Sequence, residues 1–129
     1  MNDVLAEWLE KAEGDFATAL REWRARRSRN LDAVCFHAQQ CIEKYLKAFL
    51  QQHRVPFAKT HDLVVLTKAC LSRQAAWFAW LEEMDVLTHY AVLFRYPGES
   101  ATREDGTRAI HLMRKYRKEL RAALGTREF

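Results

Sequence analysis

The side chains best able to do chemistry in this chain fall in one mixed row, a set of scattered histidines and a cluster of arginines. Between Val34 and Leu50, Phe36, Gln40, Glu43 and Lys47 stand at i, i+4, i+7 and i+11. A helix therefore stacks an aromatic, a carboxamide, an acid and a base along one line, with Gln39 at its border. A side chain as large as Phe on the face opposite a core needs a partner, so the row suits a subunit interface first, an internal loop contact second and a ligand surface third. His37, His53, His61, His89 and His111 show no shared spacing. Asp85 and His89 stand at i, i+4, but two ligands on one helix make an incomplete metal site, and none is expected. The chain carries no Gly-rich phosphate loop, HExxH, CxxC or GxSxG, the motifs with the most specific chemistry. No cofactor is expected either.

Arg21, Arg24, Arg26, Arg27 and Arg29 gather against a single Glu22. At a helix C-terminus such cations complement the dipole, which is their structural use; their functional use is a phosphate-binding patch. The net charge of +4 and pI of about 9.1 permit an acidic partner without requiring one.

The elements that must position these groups are helical. A chain of 129 residues, 49% hydrophobic and 29% charged, with four Gly and two Pro, points to one compact helix-rich domain spanning residues 1–129. Cys35, Cys41 and Cys70 read as reduced core thiols, which suits a cytoplasmic protein. The longest apolar run, Ala75 to Leu81, is far short of the roughly 20 residues that span a bilayer, and Met1-Asn2-Asp3 opens without a basic-then-apolar signal. A soluble, intracellular chain with no membrane partner is the expectation.

Leu5, Trp8, Leu9, Ala12, Phe16, Ala19, Leu20 and Trp23 recur at helical spacing from Asp3 to about Arg26, with Lys11, Glu13 and Arg21 on the other side. Gly14 inside this helix marks either close packing or a tolerated surface position. Ser28 or Asn30 can cap a second helix from Leu31 to His53, whose core side is Val34, Cys35, Ala38, Cys41, Ile42, Tyr45, Leu46 and Phe49. Val55-Pro56 ends it. Thr60 can cap a third element, with Asp62 near its positive end and Leu63, Leu66 and Cys70 as its core face. The periodicity resets around Leu71-Ser72-Arg73 and resumes through Trp77, Trp80, Leu81, Met84, Leu87, Ala91 and Phe94. Pro97-Gly98 marks a loop. Thr102 and Asp105 form a capping box for a last helix with Ile110, Met113, Tyr116, Leu120 and Leu124 inward and Arg108, Arg114, Lys115, Lys118 and Arg121 outward, stopped by Gly125. The pattern predicts an all-α, antiparallel up-and-down four-helix bundle with an additional short helix.

Phe36, Gln39-Gln40, Glu43-Lys44 and Lys47-Ala48, then Pro56-Phe57, Thr60-His61-Asp62-Leu63 and Arg95-Tyr96-Pro97 together resemble the HEPN family, the higher eukaryote and prokaryote nucleotide-binding domains. The resemblance implies a helical bundle, a homodimer, and a minimal nucleotidyltransferase as partner in a toxin-antitoxin-like pair. It also implies a nucleotide or RNA ligand near Arg95, Tyr96, His61, Asp62, Gln39 and Lys44, with Phe36, Gln40, Glu43 and Lys47 as a dimer or partner surface. Many members are metal-independent endoribonucleases using Arg, four to six residues, then His. Here those positions after Arg95 are Ser100, Ala101 and Thr102, so no catalytic residue is assigned and the non-catalytic branch is implied. Arg54 and His61 have the spacing, but in a turn where the family does not place its motif. The alternatives are an endoribonuclease with a displaced His61 or His89, and a purely structural dimeric adaptor.

Overall fold

The structure is a computed structural model and describes residues 3–125; the start of the chain at Met1-Asn2 lies outside them. Its helices are α1 (Asp3–Trp23), α2 (Leu31–Gln52), α3 (Leu63–Cys70), a 3-10 helix (Ala75–Trp80), α4 (Leu81–Leu93) and α5 (Arg103–Leu124). No strand occurs among the described residues. The fold is an all-α bundle with an additional short helix, as the periodicity predicts.

Each boundary has a local cause. The Asn30 side chain accepts from the Ala33 amide at 3.0 Å and starts α2. Thr102 and Asp105 exchange both bonds of a capping box at 3.1 and 2.9 Å, and Gly125 closes α5 in the left-handed region at φ 76°. For α3 the cap is Asp62, accepting from the Val64 amide at 2.8 Å, while Thr60 accepts from the Asp62 amide instead. The expected Thr60 cap therefore shifts by two residues, because an Asx side chain reaches the first free amides. The reset at 71–73 is a turn, and the apolar run after it begins as the 3-10 helix that carries Trp77.

α2 lies at the centre, touching α1, α3, α4 and α5. Contacts of His37 with Asp15 and of Lys47 with the Trp8 ring show that α1 runs antiparallel to it. α5 runs parallel to α2, since Ala101 bonds Asp32 at one end and Gln52 bonds the Leu124 carbonyl at the other. α4 is antiparallel to α5, with Glu83 beside Lys115 and Tyr90 beside Asp105. All eight residues of α2's expected core side are buried.

The opposite side of α2 differs from a solvent face. Glu43 and Lys47 are buried there, whereas Phe36 and Gln40 stay half-buried. Arg121, expected outward, is also buried; its guanidinium donates to the Tyr45 hydroxyl at 2.8 Å and lies 3.9 Å from Glu13. A paired charge tolerates burial that periodicity alone would not allow.

Candidate functional site

One groove joins residues from α2, the 53–62 connection and α4. Phe36, Gln39 and Gln40 form one wall, His61 closes one side, and Thr88, Ala91, Val92 and Arg95 form the other wall around a cavity of about 220 Å³. Helical spacing explains both walls: Phe36 and Gln40 are one turn apart, and Thr88, Ala91, Val92 and Arg95 share one face of α4 and its end.

Glu43, behind the cavity wall, organises the residues that line it. Its carboxylate accepts from Lys47 Nζ at 3.0 Å, Gln39 Nε2 at 3.2 Å and Gln40 Nε2 at 3.3 Å. His61 Nδ1 lies 3.0 and 3.1 Å from its two oxygens. An ionised carboxylate only accepts, so Nδ1 is the donor and Nε2 is the ring atom left for another group. The Glu43 side chain is 3% exposed and that of His61 82%: a buried acid orients an exposed imidazole. Gln39 also donates to the His61 carbonyl at 2.8 Å, and Thr88 Oγ1 accepts from the Leu63 amide at 2.9 Å, which ties the connection down on both sides. Arg95 is exposed and makes no ion pair among the described residues.

The structure thus brings together Arg95, His61, Gln39, Gln40 and Phe36, with Glu43 and Lys47 behind them. Three other expected site residues stand apart from the cavity wall. Asp62 caps α3, Lys44 pairs with Asp15 on the α1 side, and Tyr96 is 63% exposed just past α4. Asp85 and His89 are exposed, and no group of three or more metal-ligating side chains occurs among the described residues.

Two half-buried polar clusters brace the α1 side. Asp15, between Ala12 and Ala19 on the apolar stripe, binds both Lys44 and His37, the latter at 2.8 Å. Its position on that stripe was the signal available in the sequence. Glu13 takes a two-point bond from Arg117 at 2.8 and 2.7 Å and a bond from Tyr45. Partial burial opposes its ionisation, but the Arg117 and Tyr45 hydrogen bonds outweigh that and hold its carboxyl below the ordinary value. The same Glu13 hydrogen bond holds the Arg117 guanidinium charged.

No described helix is long and apolar enough to cross a membrane. A family model described as HEPN domain matches residues 5–122. No curated protein and no solved structure matches the chain significantly.

Proposed function

The chain belongs to the HEPN domain family, and from that premise we propose that it is a non-catalytic, nucleotide-binding member that homodimerises and acts beside a minimal nucleotidyltransferase in a toxin-antitoxin-like pair. The observation that carries the ligand part is the meeting of Arg95, His61, Gln40 and Phe36 in one groove. Arg95 supplies a two-point donor for phosphate, His61 Nε2 an acceptor for a ribose hydroxyl or a base N–H, and the Phe36 ring an apolar face for a base. The cavity is smaller than the roughly 300–1,000 Å³ of clefts that enclose a drug-sized ligand, so it takes one moiety of a nucleotide and leaves the rest on the surface.

Val92, on the cavity wall with Phe36, and Tyr96, four residues further on, are 50% and 63% exposed. This apolar strip suits a second copy of the chain. Pairing with a nucleotidyltransferase rests on the family resemblance, as does a cytoplasmic setting. Isothermal titration of the purified protein with nucleoside triphosphates should give saturable heat, weakened at least tenfold in Arg95→Ala. Absence of heat at millimolar ligand overturns nucleotide binding. A Phe36→Glu variant should turn a dimer into a monomer in light scattering.

A second reading gains support from the pairing of Glu43 with His61. An imidazole oriented by a buried acid, in one groove with an arginine that makes no ion pair among the described residues, has the parts for proton transfer and for stabilising a phosphorane. That ribonuclease reading requires metal-independent RNA cleavage that disappears in both His61→Ala and Arg95→Ala.

A further inference from the structure

We propose that the groove discriminates between bases, and that the base it selects is guanine. The inference rests on the nucleotide-binding reading and deepens it from a nucleotide to one base.

Glu43 sets the chemistry of the α2 wall by using up the donors around it. Its carboxylate takes Gln40 Nε2 at 3.3 Å, Gln39 Nε2 at 3.2 Å and the Nδ1 proton of His61 at 3.0 Å. Gln40 Nε2 also donates to Gln39 Oε1 at 2.7 Å, and Gln39 Nε2 to the His61 carbonyl at 2.8 Å. In a carboxamide or a neutral imidazole the acceptor atom sits across the group from the donor. Gln40 Oε1 and His61 Nε2 therefore point away from Glu43, neither accepts a hydrogen bond among the described residues, and both side chains line the cavity. Lys47, 3.0 Å from the Glu43 carboxylate, balances its charge, so this wall is rich in acceptors without being anionic. On the facing wall Thr88 Oγ1 accepts from the Leu63 amide at 2.9 Å, and its own proton has no acceptor among the described residues.

A wall with two open acceptors and one hydroxyl donor is matched by a ligand edge with two donors and one acceptor. Guanine has that edge, N1–H and the 2-amino group beside O6. Adenine offers one donor group beside the acceptor N1, cytosine one amino group beside two acceptors, and uracil one N–H between two carbonyls. None of these sets two donor groups side by side, and a site built to hydrogen-bond a ligand rejects one that leaves its polar groups unpaired.

The length of the groove agrees. α4 runs antiparallel to α2, so Thr88, Gln40 and His61 gather at one end, and Phe36 and Arg95 stand towards the other. Thr88 and Arg95 are two helical turns apart, about 10 Å along the axis. That span seats the base edge against Thr88, Gln40 and His61, and its 5′-phosphate at Arg95.

Isothermal titration of the full chain with GTP, ITP, ATP and UTP tests the selection. ITP keeps O6 and N1–H and lacks only the 2-amino group. GTP should bind about tenfold or more tighter than each of the others, the worth of one well-paired hydrogen bond. Gln40→Met removes the carbonyl acceptor while keeping the side chain's length, and His61→Ala removes the ring acceptor. At least one of the two should bring the ratio of GTP to ITP affinity close to one. Arg95→Ala should weaken all four nucleotides alike. Equal affinities for the four, a preference for another base, or a GTP preference that survives both variants with native circular dichroism spectra overturns guanine selection and leaves nucleotide binding standing. Absence of heat with every triphosphate overturns nucleotide binding and the selection with it. If a variant fails to fold, the comparison of GTP with ITP on the unaltered chain still decides.

Discussion

Glu43 shows how much one side chain's meaning depends on its surroundings. On the helix it is one member of a mixed row; in the fold its carboxylate collects Lys47, Gln39, Gln40 and His61 at 3.0 to 3.3 Å. Replacing it with Ala leaves the buried Lys47 ammonium without its counter-charge, a change that costs about 3–5 kcal/mol in comparable pairs. Glu43→Ala should therefore lower the urea-derived unfolding free energy severely, while His61→Ala, which removes an exposed ring, should cost less than about 1 kcal/mol. Equal costs would contradict the assignment of Glu43 as the organising group. The cysteines make a second residue-level case. All three are buried, and burial, helped at Cys35 by Asp105 and Asp32, pushes the Cys35 and Cys70 thiols up to about 12. A thiol-specific chromogenic reagent at mildly alkaline pH should find them inert in the folded protein and reactive in denaturant, because the thiolate is the nucleophile.

At the scale of the elements, glycine placement separates what a helix pattern reveals from what it hides. Of the two readings of Gly14, close packing or a tolerated surface position, the fold supports the second: a Cβ there meets nothing within 4 Å and the position is exposed. Gly14→Ala should stabilise the protein by roughly 0.8–1 kcal/mol through helix propensity alone. Gly106 carries the close approach instead: a Cβ would lie 2.9 Å from the Trp23 ring and 3.1 Å from Leu31, where α5 meets the end of α1 and the start of α2. Gly106→Ala should destabilise by about 1–3 kcal/mol through overpacking, despite the same gain in propensity. Denaturation midpoints that move in one direction for both variants would refute this contrast. Apolar spacing names the face a helix buries, but the distance to the neighbouring helix is set by side chains far away in sequence.

Across the whole molecule, Glu13 links α1 to α2 and α5 through Tyr45 and Arg117. Its carboxyl is held below the ordinary value of 4.5 in the fold, so the unfolded chain takes up the proton first on acidification. The stabilisation from this group is complete above the ordinary value and is lost as pH falls through the folded one. Urea titrations at neutral pH and below pH 4.5 should show this loss, and Glu13→Gln should narrow the gap between the two conditions. The sequence by itself determined the helical class, the caps at Thr102 and Gly125 and the core side of α2, and narrowed the α2 cap to Ser28 or Asn30, because each depends on spacing within a few residues. It also pointed to Arg95, His61 and the Gln39–Gln40 pair as site or interface residues, through the family resemblance and not through geometry. Only the tertiary structure decided that Lys47 and Arg121 are buried, that Lys44 turns to Asp15, and that His61 meets Glu43 from 18 positions along the chain. The reason is physical: periodicity assigns a side to each residue, but whether that side faces water depends on which distant segment packs over it. For a charged side chain, burial depends in turn on whether that segment brings a partner for the charge.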